Sequence, residues 1–256
     1  MTFASRLHAG ETLLTAWSGI PDPLTVEIVA AQGVDAVTLD MQHGGHTEDS
    51  VLRSIVPVLR AGRHPVVRVP VGRFDMASRA LDFGAEAVIA PMVNSVEDAQ
   101  RFAAAMKYLP IGERSWGPTF ALPRNGGGDS KSWLQEANAN TVSFAMIETK
   151  AALKALDGIL ETPGIDGIFV GPADFSIAWT EGATVDSTLE DMMETVASIA
   201  DRANAAGKHA GIFVVDAGMC GRFVEMGYRF LALGTEHKYM TLGAESLLKT
   251  ARASMA

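Results

Sequence analysis

The sequence predicts an α/β protein built as a single (β/α)8 barrel, and three observations carry that prediction. Eight short apolar runs, rich in β-branched residues, alternate with stretches of helical length and helical patterning. The runs are apolar on both faces, as parallel strands covered by helices are. The chain has 256 residues, and a barrel of this kind takes about 250. A doubly wound open sheet is the competing architecture; it usually needs fewer strands, and no Gly-x-Gly-x-x-Gly loop follows the first run.

In chain order, the predicted strands cover 13–18, 36–41, 65–69, 87–92, 142–148, 167–170, 210–215 and 230–234. Helical patterns fall near 23–32, 47–61, 75–83, 96–106, 151–161, 187–206, 217–226 and 238–254. Thr47 precedes Glu48 and Asp49, acids that suit a helix N-terminus. Gly33, Gly62, Gly84 and Gly207 fall just past helical stretches, where C-terminal caps belong. One connection is abnormally long: segment 107–141 carries Pro110, Gly112, Gly117, Pro118, Pro123 and Gly126-Gly127-Gly128, with only a short helical piece around 132–137. Loops of that length are usually functional or disordered, and Trp116, Phe120 and Trp133 argue against plain disorder. No linker divides the chain, so residues 1–256 read as one domain.

Hydrophobic residues make up 48% and charged residues 20%, enough for a sizeable core and against disorder. A net charge of −9 argues against a general nucleic-acid partner. The single cysteine, Cys220, excludes an internal disulfide and a cysteine-built zinc site, and its apolar surroundings predict a buried small hydrophobe. The N-terminal residues lack the apolar core of a signal peptide and no run reaches transmembrane length, so a soluble, cytoplasmic protein without a membrane partner is expected.

Chemistry in such barrels sits at the C-terminal ends of the strands. There the chain places Asp40-Met41-Gln42-His43, Arg68, Glu148-Thr149, Gly171-Pro172-Ala173-Asp174 and Gly234-Thr235-Glu236. Two carboxylates on neighbouring strands, Glu148 and Asp174, suit a hard divalent cation that keeps several open positions; the bland reading is a pair of surface acids. Arg68, inside an apolar strand, is either an ion pair with Asp40 or Asp82 or a fixed positive charge beside a developing enolate, and both can hold together. His43, just past a strand and near Asp40, is placed to act as a base. The turn Gly171-Pro172-Ala173-Asp174 can present backbone N–H groups to a carboxylate, or be an ordinary strand–helix turn.

The segments LDMQHG, VVRVP, APMVNSVEDA, LPIGERSWGP, MIETKAAL and IDGIFVGPADFS resemble the HpcH/HpaI aldolase family over about residues 13–245. The resemblance implies a metal-dependent, class II pyruvate aldolase on a (β/α)8 barrel. It implies a homo-hexamer, a trimer of dimers, with the last helix exchanged between partners. By the same resemblance Glu148 and Asp174 bind Mg2+, Mn2+ or Co2+; His43 is the catalytic histidine, helped by Asp40 or Asp82; and Arg68 stabilises the enolate. The resemblance also implies that the backbone around Ala173 holds the pyruvate carboxylate. The segment with Pro110, Gly112, Arg114, Ser115 and Gly117 resembles the family's loop over the site, which implies that part of it reaches a neighbouring subunit and that Trp116 within it, with Gly171, Pro172, Ala173 and Phe213, contacts substrate. Gln42 stands where relatives often have Glu, Met146 where they often have Gln, and Phe213 where they often have a smaller aliphatic, which narrows the substrate pocket. The expected substrates are a 2-oxo acid (pyruvate or hydroxypyruvate) and an aldehyde. The alternatives are a citryl- or malyl-thioester lyase, for which the acidic balance offers coenzyme A little positive charge, and a non-catalytic barrel that binds a 2-oxo acid.

Overall fold

The computed structural model describes residues 1–125 and 127–255, so Gly126 of the predicted glycine run lies outside the described residues. Eight parallel strands close in chain order, with the last paired to the first. They are β1 (Leu13–Ser18), β2 (Ala36–Asp40), β3 (His64–Arg68), β4 (Ala87–Ala90), β5 (Val142–Ile147), β6 (Gly167–Val170), β7 (His209–Val214) and β8 (Phe230–Thr235). A short helix α1 (Phe3–His8) precedes the barrel. The outer ring is α2 (Pro23–Ala30), α3 (Glu48–Arg60), α4 (Phe74–Phe83), α5 (Val96–Met106), then α6 (Ala121–Arg124) and α7 (Ser130–Asn140) in the long connection, followed by α8 (Lys150–Glu161), α9 (Pro172–Trp179), α10 (Met193–Ala205), α11 (Cys220–Glu225) and α12 (Glu236–Met255). This is the (β/α)8, or TIM, barrel that the alternating pattern predicts.

Side chains alternate between two cores, because successive residues of a strand face opposite sides. Leu13 and Trp17, Val66, Ile89, Phe144 and Met146, Phe169 and Phe230 fill the barrel interior. Val37 and Leu39, Val67, Val88, Ala145 and Ile147, Ile168 and Ile212 pack outward against the helices. Phe3, Ala4 and Leu7 of α1 join the inner core, and the Phe3 ring meets Phe230 edge-on at 5.0 Å. So α1 plugs the end at which the strands begin.

Helix ends follow local chemistry. Thr47 caps α3 in a reciprocal capping box with Ser50. The four predicted cap glycines all have positive φ, and Gly84 at +110° closes α4 in the left-handed region. Differences from expectation are local. The predicted helix at 187–206 begins later, with a 3-10 turn at Glu190–Met192, because Asp186 draws the N–H and hydroxyl of Thr188 into a turn of its own. In 107–141 the short predicted piece is an eleven-residue helix, α7, capped by Asp129, with α6 before it. Cys220 is only partly buried, at the start of α11, rather than fully buried as expected, because α11 follows a 3-10 turn at the surface.

Candidate active site

The two-residue period of the strands decides what reaches the mouth. Continuing the inward-facing positions past each strand end brings up Trp17 from β1, Asp40 from β2, Arg68 from β3, Glu148 after β5, Gly171 after β6, Phe213 from β7 and Glu236 after β8. These are seven side chains or gaps from seven segments, gathered by parity alone.

Asp40 and Arg68 face each other in register on β2 and β3. They form a two-pronged pair: Arg68 Nε donates to Asp40 Oδ1 at 2.9 Å and Nη2 to Oδ2 at 2.6 Å. Trp17 Nε1 donates to the same Oδ2 at 3.2 Å, and the guanidinium carbon sits 4.9 Å from the centre of the Trp17 ring. Burial works to raise the Asp40 pKa, but the Arg68 hydrogen bonds and charge, with donors from Gln42 and Trp17, hold it below the usual carboxylate range. The pair is almost fully buried, Asp40 at 3% and Arg68 at 8% exposure. A buried pair of this quality fixes a positive charge in one place, at a cost in desolvation that packing elsewhere must offset. Trp17 drew no attention in the sequence, although its alternation with Leu13 and Thr15 would have revealed it.

Glu148 is 2% exposed. Burial, and then the nearby negative charge of Asp174, push its pKa up to about 7 against the opposing Met92 N–H and the Arg68 charge. Met92 N–H donates to Glu148 Oε2 at 2.9 Å; among the described residues no hydrogen bond reaches Oε1. Asp174 is an exposed acid in the first turn of α9. Two carboxylates close enough for the Asp174 charge to act on Glu148, which has a free oxygen, fit a hard cation. Among the described residues no cluster of three His, Cys, Asp or Glu forms, so such an ion would keep positions for water and substrate oxygens.

The same mouth holds the first turn of α9. Pro172, Ala173 and Asp174 are its first three residues, and the N–H groups of Ala173 and Asp174 have no intrahelical acceptor there. Phe213 lies edge-on to Trp17 at 5.3 Å and completes an aromatic wall. His43 is exposed just above Asp40. Its backbone N–H, not its ring, approaches Asp40 Oδ1 at 3.3 Å.

The model of the HpcH/HpaI aldolase/citrate lyase family matches residues 14–241. The chain belongs to that family. Membership makes it a carbon–carbon lyase. It is 33% identical over 255 residues to the hydroxypyruvate/pyruvate aldolase of Roseovarius nubinhibens, covering 100% of this chain and 95% of that protein. It is 30% identical over 246 residues to the 2-keto-3-deoxy-L-rhamnonate aldolase of Salmonella gallinarum, covering 96% and 91%. Among solved structures, the HpcH/HpaI aldolase of Desulfitobacterium hafniense superposes with a TM-score of 0.87 at 26% identity, covering 98% of this chain and 96% of that one.

Within this HpcH/HpaI chain, several expected site residues do not meet the others. Asp82 lies in the last turn of α4, and a helix that follows a strand ends where the strands begin. It pairs there with Arg114, Nη2 to Oδ1 at 2.7 Å, so it is not the partner of Arg68. Burial raises the Asp82 pKa against that pairing. Trp116 follows in the same segment, half-exposed and 5.6 Å from the Tyr108 ring. The loop with Pro110, Gly112, Arg114, Ser115 and Gly117 therefore does not cover its own chain's mouth. It joins a helix to a strand, and such connections return to the strand-start end. Asp40 does not orient the His43 ring either, because its oxygens are taken by Arg68, Trp17 and two backbone N–H groups. A cavity of about 390 Å3 also lies at the far end, between Met1, Arg114 and Trp133.

Two further groups line the mouth side, Glu236 past the end of β8, as the sequence places it, and His46. Glu236, 1% exposed, accepts the Gly19 N–H at 2.8 Å. His46 is buried between hydroxyls, its Nε2 2.9 Å from Ser18 Oγ and its Nδ1 3.1 Å from Ser50 Oγ. Burial lowers the His46 pKa against the raising influence of Glu236 and Asp40. Together they tie the β1, β2 and β8 ends around the site. Of the departures from the family pattern, Met146 is 2% exposed in the inner core below Glu148, and the Gln42 side-chain oxygen is buried without a partner.

Proposed function

We propose that the chain is a divalent-metal-dependent aldolase that makes or cleaves a carbon–carbon bond between the enolate of pyruvate or hydroxypyruvate and an aldehyde. The observation that carries this reading is the convergence, at one mouth, of the Glu148–Asp174 carboxylates and the fixed Arg68 charge, close enough for both Asp174 and Arg68 to act on Glu148. The two aldolase relatives support the reaction class, and the hydroxypyruvate/pyruvate aldolase supports the oxo-acid partner.

Glu148 and Asp174 would hold Mg2+, Mn2+ or Co2+. When bound, such an ion supplies Lewis-acid polarisation of the 2-oxo acid's oxygens. The N–H groups of Ala173 and Asp174, behind Gly171 and Pro172, receive the substrate carboxylate at the positive end of α9. Arg68, locked by Asp40 and Trp17, offsets the negative charge that grows on the enolate oxygen without having to reorganise. His43, exposed at the mouth, takes and returns the proton at the substrate carbon or hydroxyl. Phe213 and Trp17 wall the enolate off from water. No strand contains a lysine, which supports enolate chemistry over a Schiff base.

The reading extends to a homo-hexamer, a trimer of dimers, in the cytoplasm. It is supported by α12, whose Met240, Leu242, Leu247, Leu248 and Met255 are all exposed in the single chain. In that assembly Asp82 and Trp116 serve the site of a neighbouring copy. No described helix is long and apolar enough to cross a membrane.

The test is exchange of the C3 protons of pyruvate and hydroxypyruvate in D2O, followed by product analysis with a panel of aldehydes. Metal-dependent exchange and aldol products are expected. Exchange only with coenzyme A thioesters present, or none with any oxo acid, would contradict the proposal.

A further inference from the structure

Of the two non-glycine residues with φ in the left-handed region among those described, one sits beside the candidate metal carboxylate. Met92, two residues past β4, has φ +56°, and its N–H donates to Glu148 Oε2 at 2.9 Å. Side chains with a Cβ rarely adopt that conformation, and such residues persist where the surroundings enforce them, often at functional sites. A second link braces the same segment: Thr149 Oγ1 donates to Asn94 Oδ1 at 2.5 Å. The turn after β4 is thus stitched to the end of β5 on both sides of one residue, Met92 to Glu148 and Asn94 to Thr149.

The opposite side of the carboxylate is set by a missing side chain. A Cβ at Gly171 would lie 2.5 Å from Glu148 Oε1, 3.0 Å from its Cγ and 3.1 Å from its Cδ. Gly171 has φ −99° and ψ 89°, a backbone open to any residue. Glycine is therefore needed here for space, not for conformation. Ile147 and Val170 are the last register partners of β5 and β6, so Glu148 and Gly171 are the next facing pair.

We infer that Met92 and Gly171 are positioning residues for the Glu148 carboxylate: the Met92 N–H holds Oε2, and the bare Cα of Gly171 leaves Oε1 room to face a divalent cation. The inference rests on the reading of Glu148 as a metal ligand. A carboxylate held by one oxygen has one oxygen left to ligate, and partners that orient a ligand are typically worth 10- to 100-fold in metal affinity.

The experiment is direct Mn2+ titration of the substrate-free protein at pH 8, read by the electron paramagnetic resonance of free Mn2+. It compares the wild type with Gly171→Ala, Met92→Ile, Met92→Gly and Glu148→Gln, with melting of each metal-free protein as the control for folding. Gly171→Ala is expected to weaken Mn2+ binding about tenfold or more with the metal-free melting temperature little changed. Met92→Ile, whose branched side chain resists positive φ, should turn the N–H away and weaken binding by a similar factor, while Met92→Gly, which keeps both φ and N–H, should stay within about threefold. If either Gly171→Ala or Met92→Ile fails to fold, the other decides. Wild-type affinity in the folded variants would overturn the positioning role while Glu148→Gln still loses Mn2+. Wild-type affinity in Glu148→Gln would instead overturn the ligand reading beneath it.

Discussion

Arg68 shows how one residue carries both structure and chemistry. Its two hydrogen bonds to Asp40 and its stacking on Trp17 leave the guanidinium one position to occupy. Arg68→Lys keeps the charge but cannot make the two-pronged contact, so kcat/KM for proton exchange should fall about 10²-fold. Trp17→Phe keeps an aromatic ring but removes the indole N–H to Asp40 and the buried area of the five-membered ring. A hydrogen bond to a charged group is worth about 1.5–3 kcal/mol, so steady-state rates should show a loss of about tenfold or more, and melting a clear decrease in stability. Glu148 gives the pH dependence. Its carboxyl, pushed up to about 7, is protonated below that pH and must lose its proton to ligate. Mn2+ affinity is therefore expected to fall as pH drops below about 7 and to level off above it. The sign for stability is opposite in the metal-free protein: a carboxyl raised from 4.5 to about 7 binds its proton more tightly in the folded state, so its contribution is lost as pH rises through that window. Metal should consequently raise the melting temperature more at pH 8 than at pH 6, which differential scanning at the two pH values would check.

At the scale of elements, most of the barrel was legible because the period of apolar residues changes cleanly between strand and helix. Val96–Met106 and Leu13–Ser18 were predicted to the residue. What escaped was short or read by another cue. The six residues of α1 are too few to show a period, and α9 is apolar nearly all round, so its start passed for a turn. Asp40, Arg68, Glu148, Asp174, Gly171, Pro172 and Ala173 were legible as strand-end residues and Phe213 only through the family resemblance, and the structure puts them at one mouth. Asp82, a candidate partner of Arg68, and Trp116, in the family-like loop, lie at the other end, where helix-to-strand connections belong. Met92 gave no sign, because a positive φ at methionine has no sequence signature. The plug element is testable: Phe3→Ala empties the floor of the inner core and should cost about 3–5 kcal/mol of stability in denaturant unfolding, with Mn2+ affinity within about twofold because the site is at the opposite end.

The whole molecule is organised by its two ends. One is sealed by α1 and laced by Lys107, whose Nζ donates to the carbonyls of Asn138 and Thr141 at 2.8 and 2.6 Å. The other gathers the chemistry. The exposed apolar side chains of α12 belong to neither end, and the proposed hexamer would give them a place; light scattering should report six chains of 27.1 kDa, and Leu247→Glu with Leu248→Glu should shift that mass to smaller species. The central claim, that carboxylates and a fixed arginine at this mouth make a metal-dependent enolate, is tested most directly by C3 proton exchange of pyruvate in D2O with protein stripped by EDTA. The account predicts exchange that is lost on stripping, restored by Mn2+ in the wild type and not restored in Glu148→Gln. Exchange at the full rate in the stripped protein would contradict it.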